Sequence, residues 1–394
     1  MNEFVAVSKA KELLKGLAFS PKTQLVSLAN SVGKFLASPV LAPMNVPSFD
    51  NSGMDGYAFA WEDLGESRKL AQVVQAGSNP DFTLEKGTAV RIFTGAPVPD
   101  GADTVVQQEW VTVVGDTVFF ELEKLVKGMH VRKAGSQCQE GEIILNSGTQ
   151  VTPGTIGLLA SLGIEQVEVF RSPNVSIILT GDEIIEIGQA LQPGQIYNAN
   201  GPALIAYLSQ MGITEVKVLK VKDEKSEVTR VIGEALEVSD VVLLTGGISV
   251  GDYDFVKGSL AENGVLQLFY KVKQKPGKPI FAGVKGEKMV FALPGNPASV
   301  LTCFIQYVKP FLLRLLGNPD AWTAPAYFPI ASDFTKKAPL TFFLKAKLEN
   351  NQVIILPAQE SFNLLSFGIA DGVVEIPQEL EHIESGSLVA FYPW

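Results

Sequence analysis

The sequence predicts a multidomain chain of α/β plus β class, with one α/β domain on a parallel sheet and β-rich accessory domains. Three observations predict it. Residues 171–318 alternate short apolar runs with helical stretches, the pattern of βαβ units with right-handed crossovers. Residues 47–129 and 319–394 are instead successions of short β-branched runs cut by Gly, Pro and Asp turns. The chain also has 394 residues, too many for one domain at roughly 100–200 residues each.

The elements follow in chain order. Within residues 1–46, Val7, Ala10, Leu13, Leu14 and Leu17 recur at helical spacing, so the stretch reads as mostly helical. Glu3, Lys9, Lys11, Glu12 and Lys15 make its start an amphipathic helix rather than a signal peptide. Pro39, Pro43 and Pro47 then force extended chain. Residues 71–75, 89–93, 104–108 and 111–114 are the strands of a β-rich domain II, 47–129. Residues 130–170 hold a strand at 141–145 and a helix at 153–162, opened by Pro153 and closed by Gly163. With residues 1–46 they form a mixed domain I. The α/β domain III, 171–318, carries strands at 175–180, 215–221, 240–245, 265–270 and 289–293. Its helices are placed at 202–211, 225–238 and, longest, 297–316. Domain IV, 319–394, alternates over 341–348, 352–357 and 388–392.

Charge and composition exclude several functions. Hydrophobic residues make up 46% of the chain and charged residues 19%, which suits packed domains and not disorder. A net charge of −10 argues against nucleic acid or an anionic membrane surface as partner, since both need a basic face. An anionic substrate must therefore find a local basic spot. Two cysteines, Cys138 and Cys303, suggest neither a disulfide framework nor a zinc site, and a reducing cytoplasm fits. Apolar runs such as 175–180 and 241–245 are far shorter than the ~20 residues of a membrane span.

Six segments carry polar groups in arrangements that suit chemistry. Asp50-Asn51-Ser52-Gly53-Met54-Asp55-Gly56 could ligate a hard cation, or be a turn of Asx residues bonding their own backbone. In Arg91-Ile92-Phe93-Thr94-Gly95 a strand enters a Thr-Gly turn, and Arg91 could face an anion. Thr180-Gly181-Asp182-Glu183 ends a buried strand, where polar groups face the ligand crevice of an α/β sheet. Its acids could bind Mg²⁺ or cap a helix.

Thr245-Gly246-Gly247-Ile248-Ser249-Val250-Gly251-Asp252-Tyr253-Asp254 again follows a buried strand. Its glycines would let backbone N–H groups approach a phosphate, and Asp252 and Asp254 could hold a metal against that anion. It is neither a Walker A loop nor a dinucleotide fingerprint. Lys271, Lys273 and Lys275 recur at period two, and Lys278 follows a Pro-Gly turn. They could be the basic spot or the protection of a solvated edge strand. Finally, Pro294-Gly295-Asn296-Pro297-Ala298-Ser299 joins a strand to a helix whose N-terminus could back a ligand, or is a rigid turn.

His130 and His382 are the only histidines and lack nucleophile-like surroundings, which argues against Ser-His-Asp, Cys-His and His/Cys metal chemistry. The acids favour oxygen-ligated Mg²⁺. Residue chemistry alone thus reaches an acidic α/β protein with an anion site and a divalent cation.

The ordered set of segments resembles the molybdopterin molybdenumtransferase family (MoeA and the gephyrin E-domain) over roughly residues 5–390. The matching runs are Asn-Ser-Gly-Met-Asp-Gly-Tyr-Ala, Thr-Gly-Ala-Pro-Val-Pro, Thr-Gly-Asp-Glu, Gly-Gly-Ile-Ser-Val-Gly-Asp-Tyr-Asp, Lys-Pro-Gly-Lys-Pro and Leu-Pro-Gly-Asn-Pro-Ala-Ser. The resemblance implies an elongated four-domain protein, a homodimer whose active site is shared between subunits. It implies adenylated molybdopterin and molybdate as substrates, molybdenum cofactor and AMP as products, and Mg²⁺ as cofactor. A molybdopterin adenylyltransferase and acceptor molybdoenzymes would be partners.

The resemblance also implies roles. Glu183, Asp223 and Asp254, with Asp252 as a further candidate, would hold Mg²⁺ or position pterin and adenylate. Lys275 and Lys278 would neutralise phosphate or molybdate, and Asp55 and Thr94 would close the site across the dimer. Thr180, Gly181, Asp182, Gly246, Gly247, Ser249 and Gly251 would bind substrate, and Pro294, Asn296, Pro297 and Ser299 would shape the pterin pocket. Three departures stand out: Ser136-Gln137 where the family has Glu-Asp, Gln359-Glu360-Ser361-Phe362 without the usual Gly and His, and Asp371 for a usual Asn. A non-catalytic carrier or scaffold and a tungstate-inserting enzyme are the alternative readings.

Overall fold

A computed structural model describes residues 2–248, 255–323 and 326–394. The chain forms two compact units, one of Met1–Val26, Ser31–Ala37 and Glu168–Trp394, the other of Ser27–Asn30 and Ser38–Val167.

The larger unit is built on a seven-stranded sheet. Its strands, from edge to edge, are Asn2–Val5, Leu266–Val272, Pro279–Lys285, Lys288–Leu293, Val241–Thr245, Val175–Thr180 and Val216–Val221. The last four are mutually parallel, as the βαβ pattern predicts. Pro279–Lys285 runs antiparallel to both neighbours, and Asn2–Val5 adds a parallel edge. All six residues of Val175–Thr180 are buried. Such a strand reads as a continuous apolar run because helices cover both faces.

The pleat sorts these residues. Ile177, Leu179 and Leu243 enter one core with Leu204, Leu208, Phe304 and Phe311, while Ile178, Val242 and Leu244 enter the other with Val231, Ile232 and Leu236. Each fully buried side chain of this size contributes roughly 1.5–3 kcal/mol.

Helices lie at Val7–Lys15, Asn200–Gln210, Lys225–Val238 and Val256–Glu262. The expected long helix is interrupted: Pro297–Cys303 and Lys309–Leu315 are α-helical, and Phe304–Val308 between them is a π-turn. This 19-residue helix is long and apolar enough to cross a membrane by composition, but it is mostly buried in the protein's own core. The same unit holds a second sheet in the order Gln274–Lys275, Thr341–Glu349, Gly372–Ile376, Leu388–Pro393, Ala326–Pro329, with Gln352–Ile355 paired to Thr341–Glu349.

The smaller unit is β-rich. Its six-stranded sheet runs Thr104–Gln107, Gly56–Phe59, Thr88–Ile92, Ser67–Val74, Thr117–Phe120, Val111–Val114. The helix Pro153–Ser161 starts as predicted, with Pro153 in its first turn and Thr152 Oγ1 accepting from the Thr155 N–H at 3.2 Å.

The reading of residues 1–46 as mostly helical is corrected. Only Val7–Lys15 is α-helix, and Leu28–Asn30 is a single 3₁₀ turn. Asn2–Val5, Thr23–Ser27 and Val40–Leu41 are strands, because each finds a distant pairing partner that local periodicity does not reveal.

Candidate functional site

Strands Val175–Thr180, Val241–Thr245 and Lys288–Leu293 end side by side, and their loops wall a cavity of about 910 Å³. This is where an open α/β sheet binds ligands. The loops are stitched together: Thr180 Oγ1 donates to the Thr245 carbonyl at 3.1 Å, and the Gly246 N–H donates to the Leu293 carbonyl at 3.2 Å. Gly246 has φ +89, and a Cβ there would lie 2.6 Å from Thr180 Oγ1. A side chain would push the two strand ends apart. At Gly181, φ +130, a Cβ would meet the Glu183 carboxylate at 2.8 Å.

Of the residues singled out from the sequence, Thr180, Gly181, Glu183, Asp223, Gly246, Gly247, Lys275, Lys278, Pro294, Asn296, Pro297 and Ser299 line this one cavity. Asp182 is exposed beside it and acts on Asp223 through its charge. Asp55 and Thr94 belong to the smaller unit, where Asp55 Oδ1 accepts from the Thr94 N–H and hydroxyl, both at 2.8 Å. Those bonds hold the Asp55 carboxyl below the usual range. Arg91 packs over Tyr57 and Phe93 and donates to Gln108 Oε1 at 2.6 Å. Ser249, Gly251, Asp252 and Asp254 lie outside the described residues.

The lysines divide. All four lie over aromatic rings, Lys271 over Tyr270, Lys273 and Lys278 over Phe4 and Lys275 over Phe342, but only Lys275 and Lys278 line the cavity. The strand pauses at Lys273 and resumes at Gln274–Lys275, and the period of two carries through: Val272, Gln274 and Pro276 are buried while the three alternating lysines stay more open.

Other wall residues were not foreseen. Asn198 and Asn200 open the helix Asn200–Gln210: Asn198 Oδ1 accepts from the Gly201 N–H at 3.0 Å, and Asn200 Nδ2 donates to the Gly295 carbonyl at 2.9 Å. Gln359, Ser361 and Phe362 arrive from the C-terminal β region, where Asn296 Nδ2 donates to Ser361 Oγ at 3.0 Å. The sequence marked these last three only as departures from the family. Among the described residues Asn200 Oδ1 and Thr245 Oγ1 are buried without a hydrogen-bond partner. Each such atom costs about 1–3 kcal/mol that a bound ligand could offset.

The acids offer hard oxygen donors. Burial, then the charges of Asp182 and Glu183, push the Asp223 carboxyl up. A divalent cation relieves such repulsion. Among the described residues no three acids, His or Cys converge closely enough to form a metal site by themselves. The donor types fit Mg²⁺. A second cavity, about 690 Å³, is walled by Lys11, Glu375 and Tyr392 among others and contains none of the candidate site residues.

Comparison with known proteins identifies the family. Three family models cover the chain: "MoeA N-terminal region (domain I and II)" over residues 5–163, "Probable molybdopterin binding domain" over 176–314, and "MoeA C-terminal region (domain IV)" over 327–394. The chain is similar to the molybdopterin molybdenumtransferase of Haemophilus influenzae, 37% identical over 332 residues, 83% of this chain and 81% of the relative. It is 32% identical to that of Bacillus subtilis over 382 residues, 93% of this chain and 89% of the relative. A crystal structure of a molybdopterin biosynthesis MoeA protein from Pyrococcus horikosii superposes with TM-score 0.86 at 32% identity, covering 99% of both chains.

Proposed function

Because the chain belongs to the molybdopterin molybdenumtransferase family and is thus a transferase of molybdenum cofactor biosynthesis, we propose that it converts adenylated molybdopterin and molybdate to molybdenum cofactor and AMP. One observation carries this reading: a single cavity holds two lysines, two acids and two glycine-rich strand ends. That combination suits a ligand with several anionic groups and one polar ring edge.

In the reaction, water adds to one phosphorus of the phosphoanhydride, the P–O–P link breaks and AMP leaves. The substrate's two dithiolene thiols bind molybdenum, and their two protons leave with one molybdate oxygen as water. Lys275 and Lys278 bind the phosphate and molybdate charges and stabilise charge developing on the cleaved oxygen. Gly246 and Gly247 let backbone approach the phosphate closely. Asn200 Oδ1 and Thr245 Oγ1 offer hydrogen-bonding atoms to the ring edge. Glu183 and Asp223, with Asp252 and Asp254 as the resemblance implies, would hold Mg²⁺, whose bound charge would polarise the phosphoanhydride.

The family resemblance supports a homodimer in which the partner subunit's Asp55 and the partner subunit's Thr94 complete the site. It also supports the four-domain division at residues 46, 130, 170 and 318, an adenylyltransferase that supplies the substrate and molybdoenzymes that accept the product. Both cysteines are buried and unpaired, in keeping with a reducing cytoplasm.

AMP release from adenylated molybdopterin with Mg²⁺ and molybdate tests the reading. Wild type should release AMP only when molybdate is present, and Glu183→Ala should not. Tight pterin binding without AMP release from wild type would make the chain a carrier and sink the proposal. Tungstate in place of molybdate reads out anion preference in the same assay.

A further inference from the structure

The two cavity lysines flank a loop that is short of its own hydrogen bonds. Pro276 and Pro279 have no N–H to donate. Backbone bonds hold its ends, the Val272 N–H donating to the Lys278 carbonyl at 3.0 Å and Gln274–Lys275 pairing with Thr341–Glu349, and a buried side chain holds the turn between them. Gln274 is fully buried, and its Nε2 donates to the carbonyls of Pro276 at 3.0 Å and Gly277 at 3.2 Å. Its Oε1 accepts from the Tyr307 hydroxyl. The two carbonyls fix which way the amide faces, because they can only accept, and this leaves Oε1 to accept from the hydroxyl.

Tyr307 is also fully buried, and it sits in the π-turn Phe304–Val308. A π-turn inserts a residue into the helical count and re-aims the side chains around it, and such turns gather at functional sites. Cys303, one turn earlier, donates from Sγ to the Gly277 carbonyl at 3.5 Å. A Cβ on Gly277, φ +80, would lie 2.5 Å from that sulfur, so the loop rests directly on the helix.

We propose that Gln274 and Tyr307 are positioning residues for the substrate-binding lysines. They fix the backbone between Lys275 and Lys278, so that both ammonium groups meet the anionic substrate in one arrangement. A lysine stem is long and rotamer-rich, and binding an anion with it costs entropy unless its root is already fixed. The π-turn is the element that brings the Tyr307 hydroxyl to the Gln274 amide. This inference rests on the cavity being the substrate site.

The test uses the full chain, with AMP as probe and three variants: Tyr307→Phe, Gln274→Met and Phe311→Leu. Phe311 belongs to the same helix but packs on Phe19 and Phe291, not on the loop. Calorimetric titration should show AMP binding weakened about tenfold in Tyr307→Phe and Gln274→Met, the size expected for one orphaned buried hydrogen-bonding group. Amide exchange at Gly277 and Lys278 should speed up in the same two variants. Phe311→Leu should lower the melting temperature at least as much while binding AMP like wild type. Wild-type affinity in both loop variants would overturn the inference. So would an equal loss of affinity in Phe311→Leu, which would mark the effect as general destabilisation. A wild-type protein that binds no AMP would sink the reading of the cavity itself, and the inference with it.

Discussion

Asp240 and Thr245 stand at opposite ends of one run of buried chain, and the fold treats them in opposite ways. Asp240, at the amino end, accepts from Lys22 at 2.8 Å, Arg171 at 2.7 Å and the Asn174 N–H at 2.9 Å. Beside it Lys288 donates to the carbonyls of Leu236, Glu237 and Ser239, closing the end of helix Lys225–Val238. At the carboxyl end, Thr245 Oγ1 is buried without a partner among the described residues, and Asp223 sits near two further acids. Polar groups at the amino end satisfy one another and hold the sheet together. At the carboxyl end Thr180 Oγ1 and Asn200 Nδ2 also find protein partners, but Thr245 Oγ1 and Asn200 Oδ1 find none among the described residues and are left for something that binds. The difference teaches where stability and activity are separable in this unit.

The largest expected effect tests the carboxyl end. Lys278→Ala should lower kcat/KM for AMP release by about 10²-fold, the order reported for loss of one preorganised charge-stabilising group, with an unchanged melting temperature. A matching fall in melting temperature would show that this end also carries stability.

Asp240→Asn probes the other end. It should cost about 1–3 kcal/mol in denaturant unfolding, as for a hydrogen-bonded charge deprived of its partners, and leave AMP release untouched. Burial would raise the Asp240 carboxyl, but Lys22, the Asn174 N–H and Arg171 hold it below the ordinary aspartate value. A depressed carboxyl contributes stability above its unfolded value of about 3.9 and loses it as pH falls through the lower folded value. The gap between wild type and Asp240→Asn should therefore be full at neutral pH and close in strong acid. A gap independent of pH would point to packing instead.

The smallest effect sharpens the contrast. Burial, then Asp182 and Glu183, raise the Asp223 carboxyl, so carrying its charge costs the fold stability relative to the unfolded chain. Asp223→Asn should melt at the same temperature or slightly higher while losing activity. A lower melting temperature would mean the acidic group is structurally useful without ligand.

The sheet's parallel core was legible because its strands are continuous apolar runs, 175–180 and 241–245, bounded by Gly and Pro. Pro279–Lys285 was not, since a proline opens it and Gly283 interrupts it, features that locally signal a loop. The π-turn was invisible too, because a local change in the helical hydrogen-bond step leaves the apolar run 297–315 unmarked in sequence. Site residues at strand ends could be placed from the general behaviour of α/β sheets. Asn200 and Phe362 could not, since they reach the cavity through helix and β packing that no short motif encodes.

The edge strand Asn2–Val5 has a consequence for how the molecule is made. Asn2 pairs with Phe269, and Val5 with Val272. At about 5–20 residues per second, those partners leave the ribosome on the order of tens of seconds apart. During that interval Ser38–Val167 emerges entirely and can fold, while the waiting segment has no sheet to join. Closing so long a connection is entropically costly and slow. Until it closes, Leu266–Val272 presents bare backbone along one side, an invitation to other nascent chains. The order of synthesis thus makes completion of this edge the late and vulnerable step in biogenesis.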